Sequence, residues 1–263
     1  MSDSAVTYSS YLRIDDLLAL QQPLSDGPEH DEMLFIVIHQ VYELWFKQVL
    51  WELDHVAVLL QADDQVRSGH TLRRVLAVLK VLVSQMDVLE TMTPLEFMSF
   101  RSRLAASSGF QSAQFRELEF LLGQKDPDAV DRADPSSDAR RRLERRLAAP
   151  SLWDEVCAHL ARHGLAIPAH VLDRDVRRPV EPDAALQEVL IDAYRRDPGV
   201  VGLLERLVDL DEGLQEWRYR HVKMVQRTIG TKTGTGGSSG VGYLRTTLDR
   251  PVFPDLWAVR AAF

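Results

Sequence analysis

The chain has 263 residues, 45% hydrophobic and 27% charged, with a formal net charge of -8. The acidic balance argues against nonspecific nucleic-acid binding, which rests on Lys and Arg neutralising phosphates. Cys157 is the only cysteine, so no disulfide framework forms within the chain. No apolar stretch approaches the ~20 residues of a membrane span. The start, MSDSAVTYSS, lacks a basic segment followed by an apolar run, so a cytoplasmic location is expected. The Arg-rich run RRRLERR at 140–146 reads as a solvated helix face.

Residues 1–8 read as a loose arm, followed by a short helix from about Tyr11 to Gln22 that Pro23 stops. A long helix is expected from about His30 to Asp63. Its stripe of Leu34, Ile38, Trp45, Val49, Leu53, Val56 and Leu60 recurs at spacings of three, four or seven. A second runs from about Ser68 to Met92 on Leu72, Leu76, Leu79, Leu82, Met86 and Leu89. Pro94 opens a shorter helix carrying Phe97 and Arg101, since Pro is tolerated at a first helical position. After a break at 107–109, helices are expected at about 111–123, 138–148, 151–163 and 183–196. The stretches 124–137 and 164–182 read as largely irregular. A last long helix spans about Val200 to Ile229.

Residues 230–242, GTKTGTGGSSGVG, hold six glycines in thirteen positions. They match no nucleotide loop. The Rossmann pattern needs Gly where Ser239 stands and a strand before it, and the P-loop's Gly-Lys-Ser/Thr is absent. A loop closing over a ligand with backbone N–H groups fits better than a linker. No alternating strand pattern and no internal repeat is found. The expected architecture is all-α, one large helical domain over 1–263 with an arm at 1–22 and a small helical insertion at about 124–182.

Three residues stand out as carriers of chemistry. His221 sits mid-helix beside an apolar stripe, flanked by Arg218, Arg220, Lys223 and Arg227. Taken alone it reads as a core or surface histidine. The basic flank also suits a haem, which needs an axial imidazole and cations at its propionate edge. His39 lies in the apolar segment LFIVIHQVYELWF and shares a helix face with Phe35. It could be a ligand, a base or a buried structural group. Arg101 shares a face with Phe97, and a guanidinium beside aromatics suits a carboxylate-bearing aromatic ligand, although an exposed arginine fits equally. His159 and His163 have zinc-ligand spacing, but residue 160 is Leu, so the metalloprotease motif is absent and a structural role is expected.

Five blocks in order resemble the tryptophan 2,3-dioxygenase family. They are YSSYLRIDDLLALQQ at 8–22, HDEMLFIVIHQVYELWFKQVLWELD at 30–54, TPLEFMSFR and SSGFQS within 93–112, WRYRHVKMVQRTIG at 217–230, and GTGGSSG at 234–240. The resemblance covers most of the chain and is weakest at about 124–200.

That resemblance implies a haem b enzyme, commonly a homotetramer, that adds dioxygen across indole carbons 2 and 3 of L-tryptophan to give N-formyl-L-kynurenine. It implies His221 as the axial ligand of ferrous haem iron and His39 as the catalytic group on the substrate side. It implies Arg101 as partner of the substrate carboxylate, Thr235 as a contact to the substrate ammonium or carboxylate, and Phe35 and Phe97 as walls for the indole. Tyr8 and Leu12 match positions that enter a neighbouring subunit's pocket. Residue 97 is Phe where some bacterial relatives have Tyr, and Met86 stands where some have an aromatic. Two alternatives stay open: a related haem enzyme inserting one oxygen into tryptophan or a derivative to give an oxindole, and a haem sensor without turnover.

Overall fold

The structure is a computed structural model, and it describes residues 5–27, 29–104, 111–234 and 240–263. Every regular element among them is helical. In chain order they are α1 (Tyr8–Leu12), α2 (Ile14–Leu18), α3 (His30–Gln61), α4 (Gln65–Leu89), α5 (Pro94–Arg101), α6 (Ala113–Leu121), α7 (Pro127–Asp131), α8 (Asp138–Ala148), α9 (Leu152–Arg162), α10 (Ala169–Leu172), α11 (Ala184–Arg196), α12 (Pro198–Ile229), α13 (Val241–Arg245) and α14 (Pro254–Ala258). The all-α expectation is met.

The frame is made by α3, α4 and α12. A short turn at 62–64 reverses the chain between α3 and α4, and α12 packs along α4. The apolar stripes account for this. Leu53, Val56 and Leu60 of α3, Leu72, Val75 and Leu79 of α4 and Leu203, Leu207 and Leu214 of α12 are all buried in one core. Burying such a side chain is worth about 1.5–3 kcal/mol, so these stripes decide which faces meet. The same core continues through α9 and α11 to Val259. A satellite cluster joins Phe120 to Ala129, Val130 and Leu143.

Local signals fix the helix ends. Asp64 accepts from Arg67 N and starts α4 three residues before the expected point. Thr93 and Glu96 form a capping box ahead of α5, with Pro94 at the first position. Asp197 caps α12 ahead of Pro198. The expected N-terminal helix is two pieces, because Arg13 takes a left-handed conformation at φ 52° between α1 and α2. The stretches expected to be irregular contain the short helices α7 and α10.

The two ends of the chain are treated differently. The tail after α13 is tied to α12 through fully buried Asp211, which accepts from Val252 N at 2.9 Å, Phe253 N at 3.0 Å and Trp257 Nε1 at 2.9 Å. Residues 20–25 dock on α3 through Gln40 and Glu32. By contrast, α1 and α2 bury no residue, and Tyr8, Tyr11 and Leu18 are largely exposed. Among the described residues no helix is long and apolar enough to cross a membrane.

Candidate functional site

At one end of the helical frame α3, α4, α5, α6, α12 and α13 surround a cavity. The space open to the centre of a water molecule is about 230 Å³. One water needs only roughly 10–15 Å³ on that measure. The cavity therefore has room for a large organic group. His39 and His221 both line it, brought together from positions 182 apart by the packing of α3 and α12 around it.

His39 is held in one tautomer. Its Nδ1 is 2.7 Å from the carbonyl oxygen of Phe35, one helical turn earlier. A carbonyl oxygen only accepts, so Nδ1 carries the proton. In the neutral ring Nε2 is then an acceptor. Burial holds the imidazole below its usual pKa, outweighing the Phe35 carbonyl and the Glu43 carboxylate, which favour the charged form. The Phe35 ring lies 4.0 Å from the imidazole, and Phe97 and Phe100 extend the aromatic wall at 5.8 and 5.6 Å from Phe35.

His221 is held differently. No hydrogen bond ties its ring among the described residues; it stacks on Trp217 with centroids 5.2 Å apart and planes 7° from parallel. Burial, with His39 nearby acting the same way, pushes its pKa down to about 4. The ring is therefore neutral at physiological pH, with a free nitrogen lone pair, as an axial metal ligand requires. Among the described residues the buried Trp217 Nε1–H makes no well-formed hydrogen bond, its nearest polar neighbour being the Tyr42 hydroxyl. A neutral imidazole with no hydrogen bond among the described residues, facing a large cavity, fits a haem-type group.

Arg101 sits at the mouth, half-buried. Its Nη2 donates to the Thr233 carbonyl at 2.6 Å, which joins the end of α5 to the chain leaving α12. Gly234 and Gly240, on either side of residues 235–239, line the same cavity. Thr235 itself lies outside the described residues. Gly230 and Gly240 adopt closely similar backbone angles, φ 60° ψ -127° and φ 59° ψ -123°, which only glycine takes up readily.

The basic residues around His221 divide. Arg220 pairs with Asp87 at 2.6 Å and Glu90 at 3.5 Å, and Arg227 reaches Glu90 at 3.6 Å. Lys223 lies over the Tyr219 ring. Only Arg218 of the four lines the cavity. It is buried, paired with Glu119 at 3.2 Å and bonded to Gln124 Oε1 at 2.6 Å and the Arg250 carbonyl at 3.0 Å. Arg116, also on the wall, pairs with the same Glu119. Two of the four flanking residues thus pair with acidic groups at the end of α4, and the cavity's own cations are Arg101, Arg116 and Arg218 among the described residues.

Of the residues expected from sequence, Phe35, His39, Phe97, Arg101, His221 and Met86 line this one cavity. Tyr8 and Leu12 do not; both lie on exposed α1. Trp217, Tyr42, Phe115 and Arg116 line it without having been singled out. Trp217 was legible as the residue one turn before His221. Tyr42, whose hydroxyl donates to the Leu82 carbonyl at 2.9 Å, looked like core.

Comparison with known proteins agrees in extent and order. The family described as tryptophan 2,3-dioxygenase matches residues 1–165 and 167–263. A protein of Herpetosiphon aurantiacus named tryptophan 2,3-dioxygenase is 58% identical over 257 residues, covering 98% of each chain. One of the same name from Anaeromyxobacter sp. (strain K) is 54% identical over 98% of this chain and 97% of its own. Another from Bacillus thuringiensis subsp. konkukian is 42% identical over 97% and 92%. The likeness runs from end to end, and the chain belongs to the tryptophan 2,3-dioxygenase family.

Proposed function

We propose that this protein is a haem enzyme that adds both atoms of dioxygen across carbons 2 and 3 of the indole of L-tryptophan, giving N-formyl-L-kynurenine. One observation carries the reading. His221, a neutral imidazole with no hydrogen bond among the described residues, and His39, an imidazole whose Nε2 is an acceptor, share a cavity with Arg101 and an aromatic wall.

His221 would hold the haem b iron, and the bound ferrous haem supplies dioxygen activation. The remaining work belongs to side chains that bind and orient. An indole N–H donates one hydrogen bond, and His39 Nε2 is the acceptor the Phe35 carbonyl leaves open. Phe35 and Phe97 offer faces against which the indole can pack. Arg101 pairs with the carboxylate, and one of its five N–H groups already grips the Thr233 carbonyl, so it is held in place before substrate arrives. Thr235 is assigned to the ammonium or carboxylate, with its glycine-rich segment closing over the site.

Tyr8 and Leu12 are assigned to the pocket of a neighbouring subunit in a homo-oligomer, most simply a tetramer. Their support is the unburied α1 and α2, which expose apolar side chains that a monomer leaves in water. A cytoplasmic location accompanies this reading. Single-oxygen insertion is not favoured, because the relatives at 42–58% identity carry the dioxygenase name.

The test is product analysis with tryptophan and 18O-labelled dioxygen. Two labelled oxygens in N-formylkynurenine are expected. One label in an oxindole would replace dioxygenation by monooxygenation. A tryptophan-induced spectral shift without product would leave a sensor.

A further inference from the structure

Away from the cavity, the turn between α3 and α4 meets the end of α9 at three side chains of ligand type. Asp63 Oδ1 lies 3.1 Å from His159 Nδ1 and 3.6 Å from His163 Nε2. One donor atom from each of the three residues lies within 4.8 Å of the other two. None of the three lines the cavity that holds His39 and His221.

Hydrogen-bond accounting around His159 leaves room for one added positive charge, a second ring proton or a metal ion. Gln65 Nε2 donates to the Gly199 carbonyl at 2.5 Å, so its other amide atom, Oε1, is the one 3.4 Å from His159 Nε2. The fully buried imidazole therefore faces an oxygen acceptor at each nitrogen, Gln65 Oε1 and Asp63 Oδ1. A neutral imidazole carries one N–H. With that proton directed to Gln65, Nδ1 presents a lone pair to a carboxylate. Arg162 does not relieve this opposition. Its Nε donates to Asp63 Oδ1 at 3.0 Å and its Nη2 to the Leu60 carbonyl at 2.7 Å, and neither reaches His159.

We propose that Asp63, His159 and His163 bind a zinc ion through Oδ1, Nδ1 and Nε2, with water completing the coordination. Zinc takes nitrogen and oxygen donors at about 2.0–2.2 Å in a tetrahedron, which sets neighbouring donors about 3.3–3.5 Å apart. The observed separations from Asp63 bracket that value. Gln65 then supplies the outer contact that ligating histidines characteristically have, accepting from the remaining ring N–H. A carboxylate oxygen has two lone pairs, so Oδ1 can keep Arg162 while binding the metal. The ion would tie the end of α3 to α9 across 96 positions of sequence.

The experiment uses the haem-loaded protein, treated with a chelator and then titrated with zinc alone against a chromophoric zinc indicator. Zinc-edge X-ray absorption reads the ligands independently of iron. One zinc per chain with two imidazoles and light-atom donors is expected, together with a zinc-dependent rise in Tm. His163 is half-exposed, so His163→Ala spares the core. Both His163→Ala and Asp63→Asn should weaken zinc binding by about tenfold or more and remove the Tm rise. His170→Ala, which removes an exposed histidine paired with Asp183, should leave binding unchanged. Absence of stoichiometric zinc overturns the proposal, leaving a charged His159–Asp63 pair. So does zinc binding that ignores the His163 and Asp63 substitutions.

Discussion

The imidazole of His221 lies 5.2 Å from the indole of Trp217, with the planes 7° from parallel. The two residues are one turn apart on the same face of α12. Trp217 is itself packed by Phe115 at 4.9 Å and Phe46 at 5.9 Å. Stacking thus passes the rigidity of the core to a ring that has no hydrogen bond of its own among the described residues.

Haem retention should follow that stack. His221→Ala is expected to lose stable haem, because it removes the proposed ligand. Trp217→Phe should keep haem but release it faster. An aromatic pair is worth about 0.5–1.5 kcal/mol, and each ~1.4 kcal/mol is tenfold. The rate of haem transfer to a scavenging acceptor measures this, and a release up to about tenfold faster is expected. A His221→Ala protein with an unchanged ferrous spectrum would move the ligand elsewhere.

His39 should set the acid limb of activity. To accept from an indole N–H its Nε2 must be bare, and protonation turns both nitrogens into donors. Burial lowers its pKa from 6.5. The neutral, competent form therefore persists through pH 6.5, and kcat/KM should fall only at more acid pH. His39→Ala should retain haem, lose ~10- to 1000-fold in rate, and show no such limb. A limb that survives the substitution belongs to another group.

Much of this architecture could be read from pattern, and the exceptions have physical reasons. The long helices α3 and α12 declare themselves because each repeats an apolar stripe over many turns. The start of α5 is written in Thr93, Pro94 and Glu96. Arg13 carries no mark of its left-handed turn, since a non-glycine residue seldom adopts that conformation and nothing in its side chain signals it. The five-residue helices α13 and α14 are too short to show a period. At the cavity, His39, Arg101 and His221 stand out by chemical type. Trp217 and Tyr42 do not, because an aromatic on an apolar stripe looks the same whether it faces a core or a cavity. Arg218 was legible as a charge. Its burial against Glu119 depends on a contact 99 positions away.

The glycine-rich segment gives a prediction with a steric origin. A Cβ on Gly240 would stand 2.8 Å from the Lys232 carbonyl oxygen and 3.5 Å from Gly234 N, and φ there is 59°. Gly240→Ala must therefore displace the backbone next to Thr233, whose carbonyl Arg101 grips. Such strain costs about 1–3 kcal/mol. The KM for tryptophan should rise by up to ~100-fold, with Tm lowered by about 2–4 °C per kcal/mol of strain. Gly230→Ala meets no atom within 4 Å, so it carries only the backbone cost and should be milder. Steady-state kinetics and thermal melting of both variants separate the two effects. Equal KM values for both variants would show that the clash is absorbed locally.

On the proposed reading, selectivity for the amino-acid end of the substrate rests on Arg101. Its guanidinium follows Phe97 by one turn on α5, so the cation stands beside the aromatic wall. Nη2 donates to the Thr233 carbonyl at 2.6 Å and Nη1 makes a weak contact with Met98 Sδ at 4.0 Å, which leaves further N–H groups for a carboxylate. Removing one partner of a desolvated charge pair costs roughly 2–5 kcal/mol. Lysine keeps the charge, but it cannot hold the Thr233 carbonyl and grip two carboxylate oxygens in one plane. Arg101→Lys should therefore lower kcat/KM for tryptophan about 30-fold or more. Tryptamine, which has no carboxylate, should be a poor substrate for the unaltered protein and lose little further in the variant. The measurement is kcat/KM for both compounds with both proteins. Equal losses for the two compounds would mean that Arg101 acts through the Thr233 tie and the loop, and not through the substrate carboxylate.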